Sequence, residues 1–363
     1  WDVGVDYGLF NNRLTGSFDY FVRFTEGMVG PSAELPATLG ISTPSSNNSD
    51  LRTKGWEVSI GWKDRLKNGL GYGINLSLSD QITMIDSYPD NKTLSIDSYL
   101  PGYKDGLIWG YETIGIAKSD EEMQAHLASL PKGGQDAVGS QWAAGDIMYK
   151  DLNGDGKISE GARTLGDHGD LKILGDTYSH YFFGIDLNAD WKGFDFRAFF
   201  QGVLKHDYWG SGNFTGMLFG VRGGYSRWHT RGFKQHEDYF RAEPAGLEGH
   251  ELPANLDSYY PRPIFSDSSD GTSFGAKNQK VQSRYVQDAS YIRLKNLQFG
   301  YTLPAKFTNK FGINRLRIFV SGENVWTGTG LTKLFDPETI SGGNGGNAYP
   351  LSRTWSFGLS LTL

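Results

Sequence analysis

The chain has 363 residues, no cysteine, and 35 basic against 41 acidic side chains, for a formal charge of −6. Its 10 Trp, 19 Tyr and 22 Phe exclude a disordered chain, the missing cysteine excludes a disulfide scaffold or cysteine-ligated zinc, and the acidic balance argues against a nucleic-acid binder. A mean hydropathy of −0.44 and the lack of any run of about 18 apolar residues exclude membrane-crossing helices and leave strands open.

The dominant period is two, the signature of strands with two unlike faces. Nine segments show it. The first sets Trp1, Val3, Val5, Tyr7 and Leu9 against Asp2, Gly4, Asp6 and Gly8. The second sets Leu14, Phe18, Tyr20, Val22 and Phe24 against Thr15, Ser17, Asp19 and Arg23. The third carries Trp56, Val58, Ile60 and Trp62, and the fourth Leu70, Tyr72, Ile74, Leu76 and Leu78. The fifth runs from Tyr181 to Trp191, the sixth from Phe194 to Leu204, and the seventh from about Asp288 to Leu303. The eighth holds Leu316, Ile318 and Val320, and the ninth alternates from Thr354 to Leu363.

These strands are predicted at about ten to fourteen residues, against 5–6 for a globular strand and about 9–11 for a transmembrane one. Their second faces are rich in Gly, Ser, Asn and Asp, as a wet lumen requires. The connections alternate in length. Short turns fall at Phe10–Arg13, Asp64–Gly69, Lys192-Gly193 and Pro304–Ile313. Long loops fall at about 28–52, 86–179, 207–286 and 326–351, with a short helix predicted over Glu121–Leu130. That parity puts every short turn at one end, as in an outer-membrane barrel with long extracellular loops. Tyr7, Phe10, Trp56, Trp62, Trp191, Phe194, Tyr301 and Trp355 are expected near strand ends as interfacial girdles; a large β-sandwich core is the other use for such aromatics. Nine is odd, and single-chain bacterial barrels use even numbers. The expected fold is therefore all-β, an incomplete wall of a transmembrane antiparallel β-barrel, cut at its N-terminal side and ending naturally in its last strand.

Several stretches carry a family likeness. Asp288-Ala289-Ser290-Tyr291-Ile292-Arg293-Leu294-Lys295-Asn296-Leu297 runs on to Gln298-Phe299-Gly300-Tyr301-Thr302-Leu303-Pro304. Arg317-Ile318-Phe319-Val320-Ser321-Gly322-Glu323-Asn324-Val325-Trp326 is followed by Phe335-Asp336-Pro337-Glu338. Tyr349-Pro350-Leu351-Ser352-Arg353-Thr354-Trp355 closes the chain, and Gly145-Asp146-Ile147-Met148-Tyr149-Lys150 leads into Asp151–Ile158. Spread in order over about the last 220 residues, these resemble the SusC/RagA-type TonB-dependent outer-membrane transporters. The resemblance implies a plugged barrel of about 22 strands, of which this chain supplies nine C-terminal ones, with plug and TonB-contacting segment N-terminal to it. It implies import of oligosaccharides or peptides powered by TonB–ExbB–ExbD, and a SusD-like surface lipoprotein as a lid on the extracellular loops. The family usually ends on an aromatic residue; here Leu363 stands there.

The one chemical motif is Asp151-Leu152-Asn153-Gly154-Asp155-Gly156-Lys157-Ile158. Its D-x-N-x-D-G spacing gathers three oxygen side chains, and Gly156 permits the sharp turn, so the loop is expected to hold a structural Ca²⁺. The Lys157 carbonyl would be the next ligand. The twelfth position is Ala162 instead of Glu, leaving Glu160, Asp146 or Asp167 to close the shell; a metal-free turn is the alternative. Loop aromatics Trp109, Tyr111, Trp142, Tyr208, Trp209, Trp228, Tyr259 and Tyr260 either meet substrate or lid or pack the loops together. His236-Glu237-Asp238 and His250-Glu251 read as solvated, and no H-E-x-x-H, G-x-S-x-G or P-loop occurs, so no enzyme is expected. The competing reading is a secreted, calcium-binding, all-β carbohydrate-active enzyme or lectin, which would stay soluble without detergent and bind sugar.

Overall fold

A computed structural model describes residues 1–29, 46–210, 218–219, 233–264, 276–341 and 348–363. In chain order, β1 (Asp2–Leu9), β2 (Leu14–Val29), β3 (Asn47–Arg65) and β4 (Gly71–Ser87) form a meander. Five small elements follow: β5 (Leu107–Tyr111), β6 (Thr113–Ile116), α1 (Asp120–Ala128), β7 (Ile147–Tyr149) and β8 (Leu171–Asp176). The meander resumes with β9 (His180–Trp191) and β10 (Phe194–Lys205). After β11 (Asp207–Tyr208) and β12 (Gln287–Asp288) come β13 (Tyr291–Thr302), β14 (Arg315–Thr329) and β15 (Thr354–Thr362).

All nine predicted strands join one antiparallel sheet, in the order β1-β2-β3-β4-β9-β10-β13-β14-β15. The register keeps the two faces in phase across the wall. Val5, Phe18, Val58, Leu78 and Phe183 lie level on one face. Asp6, Ser17, Ser59, Ser77 and Gly184 lie level on the other. A slip of one residue anywhere would exchange the faces. Polar ladders hold the second face: Ser17 and Ser59 share a 2.7 Å hydrogen bond, Arg197 pairs with Asp186 on the adjacent strand, and Arg317 of β14 reaches across β13 to Asp195 of β10.

The four short connections gather at one end. The tightest is Lys192-Gly193, with φ of +48° and +91°, the primed geometry that matches strand twist. A Cβ at Gly193 would sit 2.7 Å from the Thr302 carbonyl, so glycine is required there. At the other end the strands outrun their alternation. β2 reaches Val29, β3 begins at Asn47, β4 runs to Ser87 and β14 to Thr329, shortening the loops predicted at 28–52 and 326–351. Arg52, Thr53 and Lys54 put polar side chains on both faces, yet the backbone ladder continues through them. Beyond the apolar belt the side chains are mostly polar whether exposed, as at Lys54, or covered, as at Ser49 and Thr53, so hydrogen bonding persists without a hydrophobic period. Trp56 consequently sits in the middle of β3 and not at its end. The helix predicted at Glu121–Leu130 appears as α1, N-capped by the Ser119 hydroxyl, which accepts from the Glu122 amide.

Candidate functional site in the loop layer

The long connections fold together into a second layer over the long-loop end of the wall. Its core holds Met123, Ile147, Tyr149, Ile158, Leu218, Tyr285 and Ile340, all essentially buried. Most loop aromatics are spent on this core. Tyr111 packs on Tyr149 at 5.0 Å, and Trp142 meets Tyr149 edge-on while its indole N–H donates to the Gly139 carbonyl. Trp109 lies against His168, Tyr208 against His206, and Trp209 is half-buried against the same cluster. Trp228 lies outside the described residues. Burial pushes the hydroxyl pKa of Tyr111, Tyr149, Tyr260 and Tyr285 upward, so all four phenols stay neutral, and the Tyr285 hydroxyl donates to the Tyr259 carbonyl at 2.6 Å.

One group that sequence reasoning misplaced organises the layer. Asp146, a candidate calcium ligand, is fully buried and committed elsewhere. Its carboxylate accepts from Arg262 Nε and Nη2 at 2.8 Å each, Lys277 Nζ at 2.7 Å, Asn278 Nδ2 at 2.8 Å and the Ala143 amide at 2.9 Å. Lys277, also buried, donates to the Ser140 and Gln141 carbonyls and stands 4.7 Å from the Trp142 ring centre. Burial pulls the ammonium pKa down and Asp146 draws it back up. Tyr149 ties in by donating its hydroxyl to the Lys277 carbonyl at 2.6 Å. The hub thus staples segments more than a hundred residues apart.

The octet is curled on itself. Asp151 accepts from the Gly154 and Gly156 amides at 2.6 and 2.9 Å, Asn153 from Asp155, and Asp155 from Lys157. Asp170, which the sequence did not single out, braces it from outside by accepting from Leu152 and Ser159 at 2.8 Å; burial raises its pKa, partly offset by those amides. Glu160 pairs with Arg163, and Asp167 accepts from the Ala162 amide. Among the described residues no three His, Asp or Glu side chains converge as a metal site. The octet offers two carboxylates, the Asn153 amide oxygen and the Lys157 carbonyl, a hard oxygen set of the kind calcium takes.

Two expected residues meet at an opening. Tyr259 and Tyr260 line a cleft of about 760 Å³ with Lys234, Glu237, Asp238 and Lys333. Tyr260 is only 4% exposed, whereas the four charged side chains stand at the surface. His236, expected to be solvated, is half-buried behind the cleft, its ring 5.4 Å from Tyr260 and Nε2 3.1 Å from the Leu218 carbonyl; His250 is exposed. A second cleft of about 480 Å³ lies where β4 and β8 approach β9. At its base His180 bridges two buried carboxylates, Asp80 at 2.7 Å and Asp176 at 3.1 Å.

No family model matches the chain. TonB-dependent receptor P3 of Formosa agariphila is 29% identical over 384 residues, covering 99% of this chain and 33% of that protein. TonB-dependent receptor SusC of Bacteroides thetaiotaomicron is 21% identical over 373 residues, covering 99% of this chain and 31% of its own length. The chain therefore spans about a third of the curated relatives it matches. Among solved structures, the RagAB peptide transporter superposes with a TM-score of 0.66 at 19% identity, over 99% of this chain and 34% of that one. The RagAB peptide importer in its open-open state gives 0.64 at 20% identity, over 100% and 34%. At such identity the superposition speaks for the fold, a segment of a barrel wall.

Proposed function

We propose, from the likeness of this chain to TonB-dependent receptors and of its fold to the RagAB transporter, that it forms part of the wall and loop layer of an outer-membrane importer of oligosaccharides or peptides. In this reading TonB–ExbB–ExbD supplies the energy through parts of the protein beyond this chain, and a SusD-like lipoprotein sits on the loop layer. The observation that carries it is the contrast between the two layers: the wall leaves its apolar side chains uncovered, as lipid contact requires, while the loops bury theirs. The cleft beside Tyr259 favours peptides. Charges of both signs surround it, and the tyrosine faces that would stack on a sugar are largely occupied. Isothermal titration of the full-length receptor in detergent, with mixed oligopeptides and with neutral oligosaccharides, tests this. Peptide binding weakened by Lys234→Gln/Glu237→Gln supports it; sugar binding unaffected by that variant overturns the peptide reading. A chain that stays soluble and binds sugar without detergent overturns the importer itself.

We further propose that the Asp151–Lys157 octet holds Ca²⁺ and stiffens the loop layer. Removing calcium with a chelator should lower thermal stability and expose 150–170 to protease, with Asp151→Asn abolishing the difference. Equal stability and protease sensitivity with and without calcium would remove the site.

A further inference from the structure

The short-turn end of the wall has a charge opposite to that of the whole chain. Its four connections with their flanks cover 10–13, 62–70, 191–194 and 303–315. The first carries Arg13 and the second Lys63, Arg65 and Lys67. The third carries Lys192, and the fourth Lys306, Lys310 and Arg315. Against these eight cations stands one acid, Asp64, although the full chain is at −6. All eight are exposed. Asp64 is taken by Arg13, and the nearby Asp190 and Asp195 by Arg65 and Arg317. Lys67, Lys192, Lys306 and Lys310 have no acidic partner within ion-pair distance among the described residues.

The cations stand beside aromatics of the outward face. The Arg13 guanidinium lies 5.8 Å from the Trp62 ring centre, and the Lys192 ammonium 4.7 Å from that of Trp191. Trp191 and Phe194 are register partners, and Phe194 packs on Tyr301 at 4.5 Å. The row continues the apolar band above it, since Trp62 is level with Ile74. In the fourth connection a helical turn, Ala305–Thr308, runs into a tighter one, Asn309–Phe311. Phe307 and Phe311 are 59% and 80% exposed there. Lys306 and Lys310 each directly precede one of these rings, so the connection presents two exposed rings and two exposed ammonium groups together. Rings at the edge of an apolar band with ammonium groups at their tips match an acyl boundary topped by phosphates.

We propose that this cationic–aromatic rim binds the headgroups of anionic phospholipids in the leaflet at the short-turn end, with Lys192, Lys306 and Lys310 meeting phosphates and Trp191, Phe307 and Phe311 entering the acyl boundary. The proposal rests on the wall crossing a bilayer. Apolar continuity places the lipid, and the charge excess selects its sign.

The test offers the full-length receptor in detergent an equimolar mixture of phosphatidylglycerol and phosphatidylethanolamine and counts the retained lipids by native mass spectrometry. The expected result is preferential retention of phosphatidylglycerol. Lys192→Gln/Lys306→Gln/Lys310→Gln should cut that preference by about fivefold or more. Lys92→Gln/Lys132→Gln, exposed cations of the loop layer, should leave it intact. A preference unchanged in the triple variant, or lowered equally by the control, overturns the proposal. Should the triple variant fail to fold, the native protein decides: the preference must fall as salt screens the rim, and persistence at 1 M salt sinks it. Loss of the bilayer premise reads differently, as retention of neither lipid.

Discussion

The wall and the loop layer of this chain use similar side chains in opposite ways. In the wall, Phe357 is 86% and Val3 64% exposed, whereas in the loops Ile147, Tyr149 and Tyr285 have no accessible surface. Neither pattern follows from composition. A strand with one apolar face needs a cover that the chain does not supply, so its hydrophobic burial is deferred to lipid. The loops see only water and must collapse on themselves, as a small globular domain does. Their core is correspondingly high in stakes: it buries an aspartate, a lysine and several phenols, and Asp146, Lys277, Tyr149 and Tyr285 each hold a hydrogen-bond partner. The wall's own rigidity comes from backbone ladders.

Breaking the hub should separate the layers most sharply. Asp146→Ala leaves Lys277 and Arg262 facing a buried vacancy of charge, and removing one partner of such a pair costs about 3–5 kcal/mol. Hydrogen exchange in 140–149 and 276–282 should accelerate accordingly, while exchange in the wall strands stays slow. Asp146→Leu/Lys277→Met removes the fully buried pair, leaves only the part-exposed Arg262 to turn to solvent, and should recover part of the loss. If the wall loosens as much as the loops, the two layers are one cooperative unit.

Next in size is a core truncation. Ile147→Ala empties a fully buried site and should destabilise the loop layer by about 2–5 kcal/mol, read by the same exchange. Leu359→Ala on the outward face of β15 should move loop exchange not at all. The wall has its own test, on adjacent residues of β4. Leu76→Arg puts a cation in the lipid belt, at a cost of about 2–4 kcal/mol near the bilayer midplane. Asn75→Arg puts it on the polar face, level with Asp186, and should be close to neutral. Folding yield into bilayers of both variants checks this, and equal yields would mean that the faces are assigned wrongly.

These contrasts also explain what the sequence could and could not reveal. Val3, Val5, Tyr7 and their counterparts repeat every second residue because lipid contacts one face only, so all nine strands and the end holding the short turns were legible. Helix α1 was legible as the segment Glu121–Leu130, while its start one residue earlier is set by the Ser119 cap seen in the structure. Strand ends were not: from Asn47 to Lys54 the ladder runs through residues that are mostly polar on both faces, covered or not, where no hydrophobic period exists. The hub was not legible either, because Asp146 and Lys277 meet across two irregular loops and nothing local marks them as partners. Tyr111, Trp142 and Tyr260 looked like candidates for contact with substrate because loop aromatics without a period give no sign of which face is covered.

The smallest effect concerns acid. In the loop layer, hydrogen bonds from Lys172 and Lys150 hold the Glu112 carboxyl below its ordinary pKa of 4.5, and a hydrogen bond from Arg163 holds Asp97 below 3.8. A carboxyl whose pKa is lower folded than unfolded stabilises the fold above its unfolded value and stops doing so as pH falls through the folded one. The loop layer should therefore become protease-sensitive below about pH 4.5, with Glu112→Gln removing part of that dependence. Both pairs are substantially exposed and screened by salt, so their contribution is modest. The wall strands should keep their exchange protection across the same range, because their ladders are amide hydrogen bonds that do not titrate there. A wall that opened with the loops at the same pH would show that the two layers unfold as one cooperative unit, and that the loop pairs alone do not set the acid limit.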